Sequence, residues 1–380
     1  MDPHLLIKVS DAAGVPAPYW FVQLFKVLGM TLHMVPMNLW YAGILLAMLL
    51  YVRGGEHARR FSARLMSQMP VIVALGVNLG IVPLLFLQAA YNKVFYPATI
   101  MMAWFWLSII AMLIPAYYGV YAYSFGLRRP EGLSLVRRAT GWLAALLFVG
   151  IGFVFANALS LMTRVSAWPE LFAGHSMAGA ALGTALNTSD ATFWPRWLLM
   201  FGLALGTTAA WSLVEAAWFA RRESDDYRRW VKRFATWLYV ASFAWAAVAG
   251  SWYVLGTWSP EVRQTMFAWP MVLLTLVTGA APALPLAWLV LRRGLPVLSR
   301  AEATWLGLGQ VGVLAVNAVS RQIVQNRELR GFLDVARQPT AVQWSPLVVF
   351  LALFVAGLAL VVWMLSQVVK AETGRARAGS

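Results

Sequence analysis

The chain has 380 residues, is 61% hydrophobic and only 12% charged, and carries a formal net charge of +15. Soluble domains run near a quarter charged, so this composition excludes a water-soluble globular protein and leaves little room for a separate soluble domain. The absence of cysteine excludes disulfides, thiolate zinc sites, iron–sulfur ligation and covalent c-type haem attachment within the chain.

Residues 1–18, "MDPHLLIKVSDAAGVPAP", are polar and Pro-bearing, without a basic segment leading into a short apolar run. They predict no cleavable signal peptide, so the first apolar span serves as its own insertion signal. Crossing the hydrocarbon takes about 20 apolar residues. Nine stretches meet that need, at roughly 19–50, 71–92, 98–124, 139–163, 196–220, 234–257, 266–291, 303–325 and 345–369. The pattern predicts an all-α polytopic membrane helix bundle of nine transmembrane helices forming a single domain over 1–380, with its termini on opposite sides. The odd-numbered connections, "RGGEHARRFSAR", "RRPEGLSLVRR", "RRESDDYRRWVKR" and "RRGLPVLSR", together with the tail after Val369, hold most of the 30 lysines and arginines. The positive-inside rule then puts the amino terminus outside and the carboxyl terminus in the cytoplasm. The positive charge reads as a topology signal, and no nucleic-acid partner is expected.

Two outer connections are longer than the rest. Residues 164–195 are rich in small residues and turn formers, which predicts a folded hairpin or a short interfacial helix; residues 326–344 predict one amphipathic helix. Trp20, Trp194, Trp258 and Trp344 stand at span ends, as interfacial anchors do.

The informative residues are those that are costly to insert. A charged group at the bilayer centre costs roughly 2.5–3.5 kcal/mol on insertion scales, so it is retained where it faces a partner or a cavity. His33, flanked by Met30, Met34 and Met37, lies half-way through the first span. Asn78 and Gln88 lie on the second and Asn157 on the fourth. Arg196 opens the fifth after Pro195, Met266 and Met271 begin the seventh, and Asn317, Arg321 and Gln322 end the eighth. With the deduced orientation most of them share the outer leaflet. One reading is interhelical hydrogen bonding by amides, with Arg196 and Arg321 snorkelling to outer headgroups. The other is a cofactor or quinone pocket near the outer face. His33 is the one histidine inside a span; standing alone it reads as a hydrogen-bonded structural residue. His4, His57 and His175 fall in flanking segments, and Glu215, shortly before Arg221 and Arg222, predicts a cytoplasmic-end ion pair.

The order of these landmarks resembles subunit I of the cytochrome bd quinol oxidase family. "HMVPMNLWYAGILLAMLLYV" resembles that family's first helix, where a histidine followed by Val-Pro binds a haem; "GVNLGIVPLLFLQAAYN" is similar to its second helix, and "FANALSLM" to the end of its fourth. The resemblance implies nine helices, an external amino terminus and cofactors near the outer face of a bacterial plasma membrane. It also exposes departures. Where the family's fifth helix supplies a haem-ligating histidine, "PRWLLMFG" offers Leu199 with Met200 beside it. Asn317 stands at the position of a ligating glutamate, the paired glutamates of the third helix have no counterpart in "TIMMAWFWLSIIAML", and the quinol-binding loop is reduced to "SPEVRQT". A complete oxidase is therefore not expected.

What the resemblance implies instead is a membrane subunit of a respiratory electron-transfer complex, passing electrons between quinone and an external partner such as a cytochrome c. One haem b would be held by His33, with Met271 opposite or the sixth position open. Arg196, Asn78, Gln88, Asn317 and Arg321 would line the cofactor pocket, and a chain like bd subunit II would be the membrane partner. A cofactor-free structural subunit is the alternative from another class, and a small-molecule transporter with helices broken at Pro115, Pro270, Pro282 or Pro285 is the third.

Overall fold

The computed structural model describes residues 1–8, 14–129, 132–220 and 222–377. Among the described residues there are thirteen α-helices: α1 (Tyr19–Arg53), α2 (Glu56–Ala90), α3 (Asn92–Met101), α4 (Ala103–Gly126), α5 (Leu135–Thr163), α6 (Trp168–Gly174), α7 (Phe193–Trp218), α8 (Asp225–Thr257), α9 (Pro260–Phe267), α10 (Met271–Ala280), α11 (Ala283–Leu291), α12 (Arg300–Leu329) and α13 (Trp344–Arg377). Eight of them are long and apolar enough to cross a membrane, and α10 with α11 makes a ninth crossing if that pair is one span. The pair is bent by 47° at the break before Ala283. Pro282 supplies no N–H to the preceding turn, and Pro285 follows in the first turn of α11, which accounts for the break.

The long helices outrun the predicted apolar stretches. α2 starts at Glu56 rather than near residue 71, because "EHARRFSARLMSQ" continues the helical period with a buried stripe of Ala58, Phe61, Ser62 and Leu65 and leaves its charges on the other side. Side chains fix the starts of three of the long helices. Ser134 accepts from the Arg137 N–H, Ser224 from the Tyr227 N–H, and Ser299 forms a reciprocal capping box with Glu302. α1 and α8 each contain a π-helical turn, at Leu39–Gly43 and Trp252–Thr257. One extra residue per turn rotates the helix beyond it, a device found disproportionately at functional sites. Here both turns border the chamber described below.

Consecutive helices pack as pairs, α1 with α2, α4 with α5 and α7 with α8, and α12 lies across α1 and α7. A buried polar layer ties them together: Asn38 Nδ2 donates to Thr207 Oγ1 at 2.9 Å, Gln310 Nε2 donates to the same hydroxyl at 3.3 Å, and Tyr239 donates to Gln310 Oε1 at 3.3 Å. α13 touches the bundle through Phe350 and Phe354, which meet Phe25 edge-on, and is otherwise exposed over Val348, Leu353, Leu360 and Trp363.

Both readings of the 164–195 connection are present. It contains the short helix α6 and a two-residue antiparallel hairpin pairing Ser176 with Ala181 and Met177 with Ala180. The other outer connection corrects its prediction. No amphipathic helix of its own forms over 326–344; α12 runs on to Leu329, and the remainder is a turn, a 3-10 turn at Val335–Arg337 and extended chain. That chain pairs with the amino-terminal segment, Val15 N–H donating to the Pro339 carbonyl at 2.8 Å. Gly14, at φ +71, makes this approach possible, since a Cβ there would come within 2.7 Å of the Pro339 oxygen. Residues 9–13 of the amino-terminal stretch lie outside the described residues.

Asp190 anchors the longer connection. Its carboxylate, 1% exposed, accepts from Ser160 Oγ at 3.0 Å and from the Thr192 N–H and hydroxyl at 3.0 and 2.9 Å, with Arg164 Nε at 3.4 Å. Asp190→Ala strands several buried donors at a cost of about 2–3 kcal/mol. Limited proteolysis is expected to cut between residues 164 and 192 of that variant well before it cuts the parent chain.

Candidate functional site

The helices enclose one large chamber of about 730 Å3, well inside the range of small-molecule and cofactor sites. Its greater part is apolar: Met30, Met34, Met37 and Trp40 from α1, Ile81 and Leu84 from α2, and Met200 and Leu203 from α7 line it. One end is polar and contains Lys26, Arg196, Tyr253, Asn317, Arg321, Gln322 and Gln325. Asn317, Arg321 and Gln325 follow at four-residue intervals, so α12 turns one face to the chamber over two turns.

His33 lines the chamber. Its Nδ1 lies 2.8 Å from the Gly76 carbonyl oxygen. A carbonyl only accepts, so Nδ1 carries the proton and the lone pair sits on Nε2. Nε2 takes part in no hydrogen bond among the described residues. The ring lies over Gly80, where a Cβ would come within 2.8 Å of Cε1, and it meets the Trp40 ring edge-on at 6.0 Å. Trp40 is seated in turn against Gly76, where a Cβ would fall 2.1 Å from Cζ3. Two glycines one turn apart on α2 thus make room for the imidazole and the indole that follow each other up α1.

The remaining predicted residues divide. Arg196, Asn317 and Arg321 stand in the chamber wall. Arg196 and Arg321 therefore turn inward and do not snorkel to a headgroup layer. Arg196, whose side chain is 14% exposed, faces Glu328 Oε2 at 3.7 Å and the Tyr253 ring at 5.8 Å. Asn78 does not reach the chamber: it is exposed and donates to the Ala74 carbonyl of its own helix at 2.8 Å. It is offset by two positions from both Gly76 and Gly80, which is about 200° around the helix from the face that meets α1. Gln88 is half-buried one turn beyond Leu84 and is not part of the wall, and neither is Met271; its neighbour one turn on, Thr275, is. The methionine brought to the chamber by a helix other than α1 is Met200. Met266 is fully buried against Trp258 and Val262.

Sequence reasoning passed over Lys26 as a site residue. It is 7% exposed, donates to Gln322 Oε1 at 2.6 Å and lies 4.1 Å above the Tyr91 ring. The available signal was its spacing from His33: seven residues, two turns, so both sit on one face about 10 Å apart along the axis. From Lys26 a hydrogen-bonded string leads away from the chamber. Gln322 Nε2 donates to the Tyr91 hydroxyl at 2.7 Å, that hydroxyl donates to Asn326 Oδ1 at 2.6 Å, and Asn326 Nδ2 donates to the Tyr19 hydroxyl at 3.2 Å. Asn157 is buried and accepts from the Asn187 N–H of the 164–195 connection at 3.0 Å, a structural role that ties α5 to that connection rather than to another helix.

The histidines outside the spans stay apart from the chamber: His57 meets the Tyr227 and Trp230 rings, and His175 Nδ1 lies 3.0 Å from Thr184 Oγ1. Glu215 forms its ion pair at the opposite end of α7, with Arg64 of α2. Arg221 lies outside the described residues. Among the described residues no three His, Asp or Glu side chains gather as a metal centre, so any metal bound through His33 would need ligands of another kind. Compared with known proteins, the chain matches no family model and no curated protein.

Proposed function

We propose that this chain is the membrane subunit of a respiratory electron-transfer complex and holds one haem b in its chamber through His33. The observation that carries this reading is the imidazole's geometry. The Gly76 carbonyl holds the Nδ1 proton at 2.8 Å, fixing the tautomer with the Nε2 lone pair available. Histidines that bind metal nearly always have their second nitrogen tied in this way, which raises ligand basicity and locks the ring. The residues fit the group: an apolar chamber of about 730 Å3, one open imidazole nitrogen, and cations two turns away for carboxylates. When bound, a haem supplies one-electron redox chemistry at its iron.

The chain's own residues do the rest. Gly80 leaves the space that the ring occupies, Trp40 limits its rotation, and the lining of Met34, Leu84 and Leu203 excludes water. Met200, which lines the chamber where Met271 does not, is the thioether outside α1 that could help hold such a group. The resemblance to cytochrome bd subunit I supports the same reading, and with it a bacterial plasma membrane, a quinone donor or acceptor and a companion membrane subunit. A purified sample should show a Soret band and a reduced-minus-oxidised b-type spectrum; their absence from protein isolated with intact partners would end this reading.

The orientation belongs to the same proposal: amino terminus outside, carboxyl terminus in the cytoplasm, as the distribution of Lys and Arg supports. The chain has no cysteine, so single introduced ones report sidedness cleanly. Met177→Cys, 70% exposed, is expected to react with a membrane-impermeant maleimide on intact cells, and Leu135→Cys, 81% exposed, only after permeabilisation. The reverse pattern would invert the orientation.

A further inference from the structure

The polar end of the chamber has an unbalanced charge. Lys26, Arg196 and Arg321 all line it, and among the described residues no aspartate or glutamate does. Glu328 reaches Arg196 at 3.7 Å and offsets one of the three. Arg321 makes no hydrogen bond and no ion pair within 4 Å among the described residues, although Arg196 and Glu328 both lie within its electrostatic range. Among the described residues Lys26 makes its contacts to neutral groups, Gln322 Oε1 and the Tyr91 ring, and the charge within its electrostatic range is another cation, Arg321. Charges in a membrane interior are kept where they meet a counter-charge, and a guanidinium with a free fork binds planar oxyanions in bidentate fashion.

We propose that this end of the chamber is a binding site for the anionic head, a carboxylate or a phosphate, of an amphiphile whose apolar body occupies the rest of the chamber. The shape supports an amphiphile rather than a free anion. Below the three cations the wall is apolar, with Met30, Met34 and Leu203 along it. Val77, Ile81 and Leu255 belong both to the chamber wall and to the exposed hull, so the chamber meets the lipid-facing surface there. A molecule dissolved in the bilayer can reach it sideways with its head at the level of Arg321. Two sources offer this chemistry: the carboxylates of a haem and the headgroup of an anionic lipid. The site does not depend on His33, and it stands if no iron is bound there.

The test uses the full chain in phosphatidylcholine nanodiscs and two matched pairs of probes. Hemin is compared with hemin dimethyl ester by absorbance titration, and phosphatidylglycerol with added phosphatidylcholine by native mass spectrometry. At least one pair is expected to show about tenfold preference for its anionic member. Preference within the hemin pair identifies a haem carboxylate as the ligand; preference within the lipid pair identifies a lipid phosphate. The preference is expected to vanish in Arg321→Gln combined with Lys26→Gln and to persist in Arg321→Lys, which keeps the charge and controls for folding. His33→Ala is expected to weaken hemin and its ester alike, so failure of the iron ligand and failure of the anion site read differently. Equal affinities within both pairs, or a preference that survives the double glutamine variant, overturn the proposal.

Discussion

His33→Ala is expected to lower haem content more than tenfold while the chain still inserts and purifies as a folded bundle. The fold should tolerate the change because the imidazole makes one hydrogen bond, to Gly76, and its loss leaves a single carbonyl with a residual helical partner. Haem retention should not tolerate it, because His33 offers the one imidazole in the chamber wall among the described residues. Soret absorbance per chain and the pyridine haemochrome check this directly, and added imidazole should restore part of the signal in the variant. Gly80→Val should act in the same direction without touching the ligand. A Cβ at this position already falls within 2.8 Å of the ring, and two further methyl groups push the ring off the Gly76 carbonyl. If His33→Ala leaves the spectrum unchanged, the ligand is elsewhere.

The second large effect is on stability. Arg64 of α2 donates through Nε to Glu215 at 2.6 Å, through Nη1 to Glu223 at 3.1 Å and through Nη2 to the Phe219 carbonyl at 3.0 Å, while Arg60 pairs with Glu223 at 2.5 Å. These contacts clamp the end of α7 to the start of α2. Glu215 is 3% exposed and Arg64 26%. Removing one member of a buried pair costs about 3–5 kcal/mol, and the partial exposure of Arg64 sets the lower end of that range. Arg64→Ala is therefore expected to lower the melting temperature by roughly 4 °C. Arg64→Met with Glu215→Gln should recover part of the loss, since the double change leaves no buried carboxylate facing an empty site. A thermal melt of the detergent-purified variants reads both. An unchanged melt for Arg64→Ala would show that the clamp contributes nothing.

Much of the fold was legible because a bilayer imposes a simple rule: uninterrupted apolar runs of sufficient length become helices. The break in the α10–α11 pair was legible from its prolines. The helix ends were not, because "EHARRFSARLMSQ" is too polar to register as a span and yet continues α2 on an amphipathic stripe. The 326–344 connection misled for the complementary reason: its helical period belongs to the last turns of α12, and the rest of it is held extended by the amino-terminal segment.

The site was legible in part. Polar residues in apolar runs mark depth, and depth alone found His33, Arg196, Asn317 and Arg321. Depth does not give azimuth. Asn78 lies between the two glycines that face α1 and so points the other way, and Met271 stands one turn short of the chamber. Lys26 was hidden by its distance from the other polar residues in the chain, although its two-turn offset from His33 puts it on the same face. The partners that complete its surroundings, Gln322 and Tyr91, come from helices far away in sequence.

The most direct measurement is cryo-electron microscopy of the protein isolated gently from its native membrane with its partners attached. The account predicts planar density in the chamber, bonded at its centre to His33 Nε2 and directing its anionic groups toward Arg321 and Lys26. A chamber collapsed by side chains, or His33 Nε2 hydrogen-bonded to protein with no metal beside it, would contradict the account.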